Sequence, residues 1–428
     1  MEKFKYEKEF FQILKEELVP AQGCTEPISL AFAGAKSREL LGGIPDKVNI
    51  KCSGNLIKNI RCVTVPNTGN LVGIEASLLA GIVGGDSSKG LEVISNLTEE
   101  DIIKMHELID KDIIKVELLE TPINLHYILS TEKDEKTCEI EIKDLHTNIV
   151  SIKCNNKTIF EKESGIEEFC GVETDRSILT VERIVQFANT VEFEKLKTLL
   201  EPQVYYNMQI AKEGLKRNFG VSIGQTILKH IHSIYGKIKA YTAAASEARM
   251  SGCAMAVITN SGSGNQGLAT SIPVILYAEH KYVSEERMYR ALVLSNLLTL
   301  YQKSFIGRLS AFCGAISAAI SSGATLTYLE GGSTEQIEMT IINALANVNG
   351  VVCDGAKPSC ASKIVTGLEA GFLGHFLAMD NHSYNPKSGI LRKTADETIH
   401  AVGQMARVGM KETDHVILNL MLEKEKVG

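Results

Sequence analysis

Cys24 lies in residues 23–27 (GCTEP), a segment with the composition of a helix start. Proline is tolerated in the first helical turn and Thr25 is a good N-cap residue, so we expect Cys24 at, or one residue before, a helix N-terminus. The partial positive charge of a helix end favours a thiolate, which could act as a base or nucleophile near neutral pH. The alternative is a small buried thiol that fills a tight turn.

Three further cysteines, Cys313, Cys353 and Cys360, have the spacing C-x39-C-x6-C. Cys313 lies in a run of small residues that predicts a helix, and Ser359 could cap a second helix that starts at Cys360. Three thiolates could hold a zinc ion or an iron-sulfur cluster, and three ligands on a four-iron cluster leave one iron free for a substrate. The x6 spacing is not typical of a zinc finger, and unrelated core cysteines are the alternative.

Two glycine-containing segments, residues 260–267 (NSGSGNQG) and 53–59 (SGNLIKN), could bind a carboxylate. Their glycines allow backbone N–H groups to be presented, and their Ser and Asn side chains add short donors. The first segment lacks the P-loop lysine, so it does not match a nucleotide fingerprint. Plain loops are the alternative for both. The candidate substrate-binding residues are Ser53, Asn55, Lys58 as a countercharge, Ser261, Ser263 and Asn265.

The elements that must position these residues predict an α+β fold. Residues 4–18 and 28–41 have the patterns of helices, and residues 47–52 and 60–65 those of strands. Short β-like runs between about 113 and 160 indicate a small β-rich lobe, and beyond about residue 165 the pattern is almost wholly helical. We therefore expect an N-terminal mixed α/β region with the catalytic cysteine and the β-rich lobe, residues 1–165, and a mostly helical catalytic domain that carries the metal cysteines, residues 166–428.

Composition narrows the classes of partner. The 428 residues include 45 Lys plus Arg against 52 Asp plus Glu, a net charge of −7 without a long basic run, which argues against nucleic acid. No run of 18 apolar residues predicts a membrane span, and the start of the chain has no secretory pattern, so we expect a cytoplasmic protein. Its ten cysteines are then expected as thiols, metal ligands or catalytic groups. A homo-oligomer is allowed but not required.

Several motifs together resemble the L-cysteine desulfidase family, which is related to the α-chain domain of iron-sulfur L-serine dehydratases. They occur in order over nearly the whole chain. The matching segments are residues 20–30 (PAQGCTEPISL), 53–59 (SGNLIKN), 65–69 (VPNTG), 260–267 (NSGSGNQG) and 352–363 (VCDGAKPSCASK).

The resemblance implies a lyase that converts L-cysteine and water to pyruvate, ammonia and hydrogen sulfide with a 4Fe-4S cluster and without pyridoxal phosphate. It places the three cluster ligands on Cys313, Cys353 and Cys360 and the proton acceptor on Cys24. Two alternatives stay open. An iron-sulfur L-serine dehydratase differs only in the leaving atom, and a non-catalytic iron-sulfur or zinc protein would sense metal or redox state.

Overall fold

The computed structural model describes residues 4–162 and 174–423, and it has the predicted α+β fold. The predicted domain boundary at residues 165 and 166 lies outside the described residues. The helices are α1 (Glu7–Glu17), α2 (Thr25–Leu41), α3 (Gly54–Ile60), α4 (Gly73–Gly84), α5 (Glu99–Asp110), α6 (Val181–Thr190), α7 (Phe193–Lys216), α8 (Ile223–His230), α9 (Ile234–Met250), α10 (Gly264–His280), α11 (Glu285–Ile306), α12 (Gly314–Leu329), α13 (Thr334–Val348), α14 (Cys360–Met379), α15 (Ala395–Gln404) and α16 (Lys411–Glu423). The strands are β1 (Pro20–Gln22), β2 (Lys47–Cys52), β3 (Ile114–Leu118), β4 (His126–Lys133), β5 (Lys136–Lys143), β6 (Ile149–Cys154), β7 (Lys157–Glu161) and β8 (Ala256–Ile258).

A six-stranded mixed sheet forms the β part of the N-terminal region, in the order β3-β2-β4-β5-β6-β7. β2 and β3 are parallel and the other neighbours are antiparallel. The strands predicted between 113 and 160 are present, and they share one sheet with β2. Alternate apolar residues of the sheet pack with α2, α3 and α4, so the sheet supports the helix that begins after Cys24.

The strand predicted at residues 60–65 is wrong. Ile60 is the last residue of α3, and a turn follows it at residues 61 and 62. Within 60–65, Thr64 makes only an isolated bridge, to Val72. All residues from Leu56 to Ile60 are buried, so the apolar run that was assigned to a strand ends a buried helix instead.

Helices α6 to α15, together with α1, enclose a second and larger core, which contains many alanines. We predicted almost only helices beyond residue 165, but this part of the chain also contains the short strand β8. It pairs antiparallel with β1, with Ala21 opposite Val257, and so joins the start of the chain to the helical part. Within the described ranges, no helix is both long enough and apolar enough to cross a membrane.

Helices α12 and α14 approach closely at two glycines. A Cβ added to Gly323 would lie 2.6 Å from the Cα of Gly371 and 2.7 Å from its carbonyl carbon and oxygen. Such a contact is far below van der Waals distance, so the helix axes can approach this closely only without that side chain. This crossing holds together two helices that begin at predicted metal ligands, Cys313 before α12 and Cys360 in α14.

We predict that Gly323→Ala destabilises the protein by about 2 kcal/mol or more, because the two helices must separate. Helix propensity alone would give the opposite sign, a gain of about 1 kcal/mol. Urea unfolding measures the difference. Gly350→Ala is the matched control, since a Cβ there meets nothing within 4 Å. An unchanged or increased free energy of unfolding for Gly323→Ala would contradict the close contact.

A second prediction concerns His375 in α14, whose Nδ1 lies 2.9 Å from the hydroxyl of Thr327 in α12. Burial lowers the pKa of His375 from 6.5 to about 4. The unfolded chain therefore binds a proton in this window that the folded protein does not, and stability falls as the pH drops from about 6.5 to about 4. His375→Gln should reduce that slope by up to about 1.4 kcal/mol per pH unit, measured as unfolding free energy against pH. His232→Gln, at an exposed position, is the control; equal slopes in wild type and His375→Gln would refute the assignment.

Candidate active site

Cys24 is the N-cap residue of α2, in agreement with its predicted place at a helix N-terminus. The preceding Gly23 has φ +73°, and a Cβ there would collide with the ring of Pro66. This turn therefore requires glycine. Thr25 is the first helical residue rather than the cap, and its hydroxyl donates to the carbonyl of Gly262 at 2.8 Å.

The thiol of Cys24 is buried and donates to the Oε2 of Glu26 at 3.1 Å. Burial and the Glu26 carboxylate raise the pKa of Cys24 well above its usual range, while Arg249 acts in the opposite direction. The expectation that the helix end favours a thiolate is therefore wrong for the side chain as it is placed here. Desolvation and a neighbouring negative charge outweigh the partial positive charge of α2.

A short antiparallel ladder, centred on the bridge between Phe312 and Val352, brings together the segments that carry Cys313 and Cys353. The backbone N–H of Cys313 donates to the carbonyl of Val351 at 3.0 Å, and that of Cys353 donates to the carbonyl of Ala311 at 2.6 Å. Cys313 was predicted inside a helix, but it is the N-cap residue of α12. Its extended backbone is what allows it to join the ladder.

Cys360 is the first residue of α14 after the N-cap Ser359, as predicted. Asp354 holds the loop before Cys360 in place, because it forms salt bridges with both Lys357 and Lys363. Burial alone would raise the pKa of Asp354, but the two lysines lower it to about 2. The loop is thus held by charge pairs that persist over the physiological pH range.

The three thiols are close enough to oppose one another's ionisation. Burial, then Cys353 and Cys360, raise the pKa of Cys313 to about 12, and burial and Cys353 raise that of Cys360. Cys360, which is half-buried, packs against a small cluster of buried residues that contains Cys24, Val63 and Met250. An all-thiol donor set suits a soft metal, whose charge would favour the ionised thiolates. Among the described residues, no three His, Cys, Asp or Glu side chains are arranged to chelate a single ion.

The 260–267 segment contributes the start of α10, for which Ser263 is the N-cap residue without a side-chain capping bond. Asn265 accepts a hydrogen bond from the hydroxyl of Ser246 at 3.2 Å, and Ser261 donates to Asn260 at 3.0 Å. Because Thr25 contacts Gly262, the structure brings this segment next to Cys24.

Ser53, Asn55 and Lys58 line a cleft of about 510 Å³ together with residues of α16. Lys58 is buried and its Nζ lies 2.5 Å from Asp414 of α16, to which Asn55 also donates. Ser53 donates to the carbonyl of Asn124 at 2.7 Å. This group adjoins the loop between Cys353 and Cys360 through its backbone, since Gly355 lies directly against the carbonyl of Lys58.

Sequence reasoning missed several buried polar residues around Cys24. Each of these residues lies near Cys24 or against the 260–267 segment. They are Glu26, His146, Arg249, Gln266 and the half-buried Arg308. Glu26 was inside the quoted GCTEP segment. An available signal for Arg249 was its place at the end of an alanine-rich run, residues 241–250 (YTAAASEARM), where a buried helix is expected.

Comparisons with known proteins identify a family and relatives of this chain. The serine dehydratase alpha chain family matches residues 88–419. UPF0597 proteins match along nearly their whole length. The relative from Treponema denticola is 46% identical over 99% of both chains, and the relative from Lachnoclostridium phytofermentans is 46% identical over 97% of this chain and 99% of its own.

The family match covers the helical part of the chain, including the segments with Cys313, Cys353 and Cys360. It therefore covers the residues whose thiols the fold brings together. The protein belongs to the serine dehydratase alpha chain family.

Proposed function

We propose that the protein is an iron-sulfur-dependent lyase that converts L-cysteine and water to pyruvate, ammonia and hydrogen sulfide. The observation that carries this proposal is the packing of Cys360 against the small buried cluster that contains Cys24. A candidate base for the α-proton thus adjoins a set of three thiols suited to a metal cluster. Family membership supports β-elimination from an amino acid as the class of reaction.

Cys313, Cys353 and Cys360 would hold a 4Fe-4S cluster. The bound cluster would supply a Lewis acid that withdraws charge from the substrate and so makes its α-proton more acidic. Cys313 and Cys360 start from raised pKa values, so loading should release protons from them. Zinc remains the alternative metal for this donor set.

Proton transfer is assigned to Cys24 and Glu26. Cys24 must lose its own proton before it can accept one from the substrate, and the Oε2 of Glu26 is an acceptor in hydrogen-bonding contact with it. The thiolate then takes the α-proton while the bond between Cβ and sulfur breaks and hydrosulfide leaves. The remaining aminoacrylate tautomerises to an imine, which water hydrolyses to pyruvate and ammonia.

L-Serine is the second candidate substrate, because it differs only in the leaving atom and the chain matches a serine dehydratase family. The deciding experiment is anaerobic reconstitution with iron and sulfide, followed by assays of pyruvate from L-cysteine and L-serine side by side. We expect pyruvate and sulfide from L-cysteine at the higher kcat/KM. A preference for L-serine would assign the dehydratase reaction instead, and no pyruvate from either substrate would refute the proposal.

We predict that Cys24→Ala reduces turnover at least about 100-fold, the usual range for loss of a general base, while iron and labile sulfide stay at wild-type levels. Cys24→Ser should fail as well, because a hydroxyl is a far weaker acid than a thiol. Cys62→Ala, at an exposed thiol, is the control and should be fully active. Normal turnover in Cys24→Ala would move the base elsewhere, whereas loss of iron would recast Cys24 as a cluster ligand.

We predict that Cys313→Ala loses cluster and activity together, because it removes one of the three proposed ligands. Iron, labile sulfide and the visible absorption of the reconstituted protein measure the first effect, and pyruvate formation measures the second. Cys52→Ala is a matched control, since Cys52 is an equally buried thiol in the sheet. Stoichiometric zinc in the wild type without labile sulfide, or a full iron content in Cys313→Ala, would contradict the assignment.

A further inference from the structure

Arg249 is a buried charge without a matching counter-charge. It lies in the last turn of α9 and is 1% exposed. Its Nε and Nη2 have no hydrogen-bond partner, and its Nη1 has only a long contact of 3.4 Å to the Oδ1 of Asn265. Arginine does not lose its proton inside proteins, so this side chain is a permanent buried cation.

The carboxylates in the neighbourhood are engaged elsewhere. Glu26 accepts hydrogen bonds from Cys24 and Thr25, and Glu247 accepts from the backbone N–H groups of Val221 and Ile223. In the part of the chain that the structure describes, Arg249 forms no salt bridge. A buried cation without a partner is costly, so an external anion that pairs with it would remove that cost.

The guanidinium lies at the uncapped start of α10. A Cβ on Gly264, the first residue of that helix, would overlap the guanidinium, so only glycine allows this approach. The first N–H groups of a helix have no partner within it, and Ser263 does not cap them. Two independent features, a helix N-terminus and an unpartnered buried cation, therefore lie directly against each other.

The start of α10, where the Arg249 guanidinium lies, adjoins both parts of the candidate active site. Gln266, in the first turn of α10, packs against Gly314, the residue after Cys313. Arg249 is also near enough to Cys24 to act on its thiol, against the larger effects of burial and Glu26. An anion held here would lie between the proposed base and the proposed cluster ligands.

We infer that Arg249, with the first N–H groups of α10, binds the α-carboxylate of the amino-acid substrate, an inference that rests on the proposed function for the identity of that substrate. The two unpartnered nitrogens form one edge of the guanidinium, the edge that holds a carboxylate through two parallel hydrogen bonds. Lys58, the cation suggested by sequence, already pairs with Asp414. Arg249 has no such acidic partner, so it is the better candidate to bind an anion.

The test compares an acid with its amide on reconstituted protein. L-Alanine has no leaving group and so binds without turnover, and L-alaninamide lacks only the negative charge. We expect the wild type to bind L-alanine at least about 30-fold more tightly than the amide, by calorimetry and by competition with turnover. Arg249→Met should abolish that preference with unchanged iron content. Arg290→Met is the matched control, since Arg290 pairs with Glu286 away from the site.

A readout without ligand separates binding from a structural role. If Arg249 is held for an external anion, Arg249→Met removes an uncompensated buried charge and should raise the urea midpoint of the ligand-free protein. A lowered midpoint together with a retained preference for the acid would overturn the inference. If Arg249→Met does not fold, Arg249→Lys decides, because it keeps the charge without the two-bond edge. Weaker L-alanine binding in that variant supports the inference and unchanged binding refutes it.

The outcomes also distinguish this inference from the proposed function. Wild-type turnover of L-cysteine or L-serine with no preference for acid over amide refutes the role of Arg249 alone. Absence of turnover refutes the proposed function, and the binding comparison then still decides on Arg249. No measurable binding of L-alanine to the wild type would overturn the inference.

Discussion

Four helices begin at the candidate active site, and none of their N-cap side chains makes a capping hydrogen bond. The N-cap residues are Cys24, Ser263, Cys313 and Ser359 of α2, α10, α12 and α14. The N-terminal end of each of these helices carries a partial positive charge. The site is therefore built to be completed by negative groups, which is what ionised thiols, a thiolate-bound cluster and a substrate carboxylate would be.

This convergence depends on close backbone packing. Gly323 and Gly371 let α12 and α14 cross, and Gly264 lets α10 start against Arg249. The core around these helices contains many alanines, which permits short interhelical distances. The ladder at Phe312 and Val352 then joins the segment of Cys313 to that of Cys353. Glycine and alanine thus contribute to the site although they carry no chemistry of their own.

Burial determines the electrostatics of the site as much as charge does. Cys24 and Cys313 both have raised pKa values, and burial is the largest cause for each. Burial likewise lowers the pKa of His146 to about 4, so this ring stays neutral near the site at physiological pH. Burial therefore disfavours the charged forms of these thiols and of this imidazole. A bound group of opposite charge, such as a metal beside the thiols, would favour the charged forms.

Much of the local structure was readable in the sequence: the helix start at Cys24, the helix start at Cys360, strand β2 and the strands between 113 and 160 follow from caps, glycines and hydrophobic period. The sequence also supplied the candidate chemistry, since residue types and motif order are properties of the chain itself. Tertiary structure alone decided that residues 54–60 are helical, that Cys313 precedes its helix, and that Glu26 and burial oppose a thiolate at Cys24. It also placed Arg249 beside Gly264. These outcomes depend on desolvation and on contacts between residues distant in sequence, which local patterns do not encode.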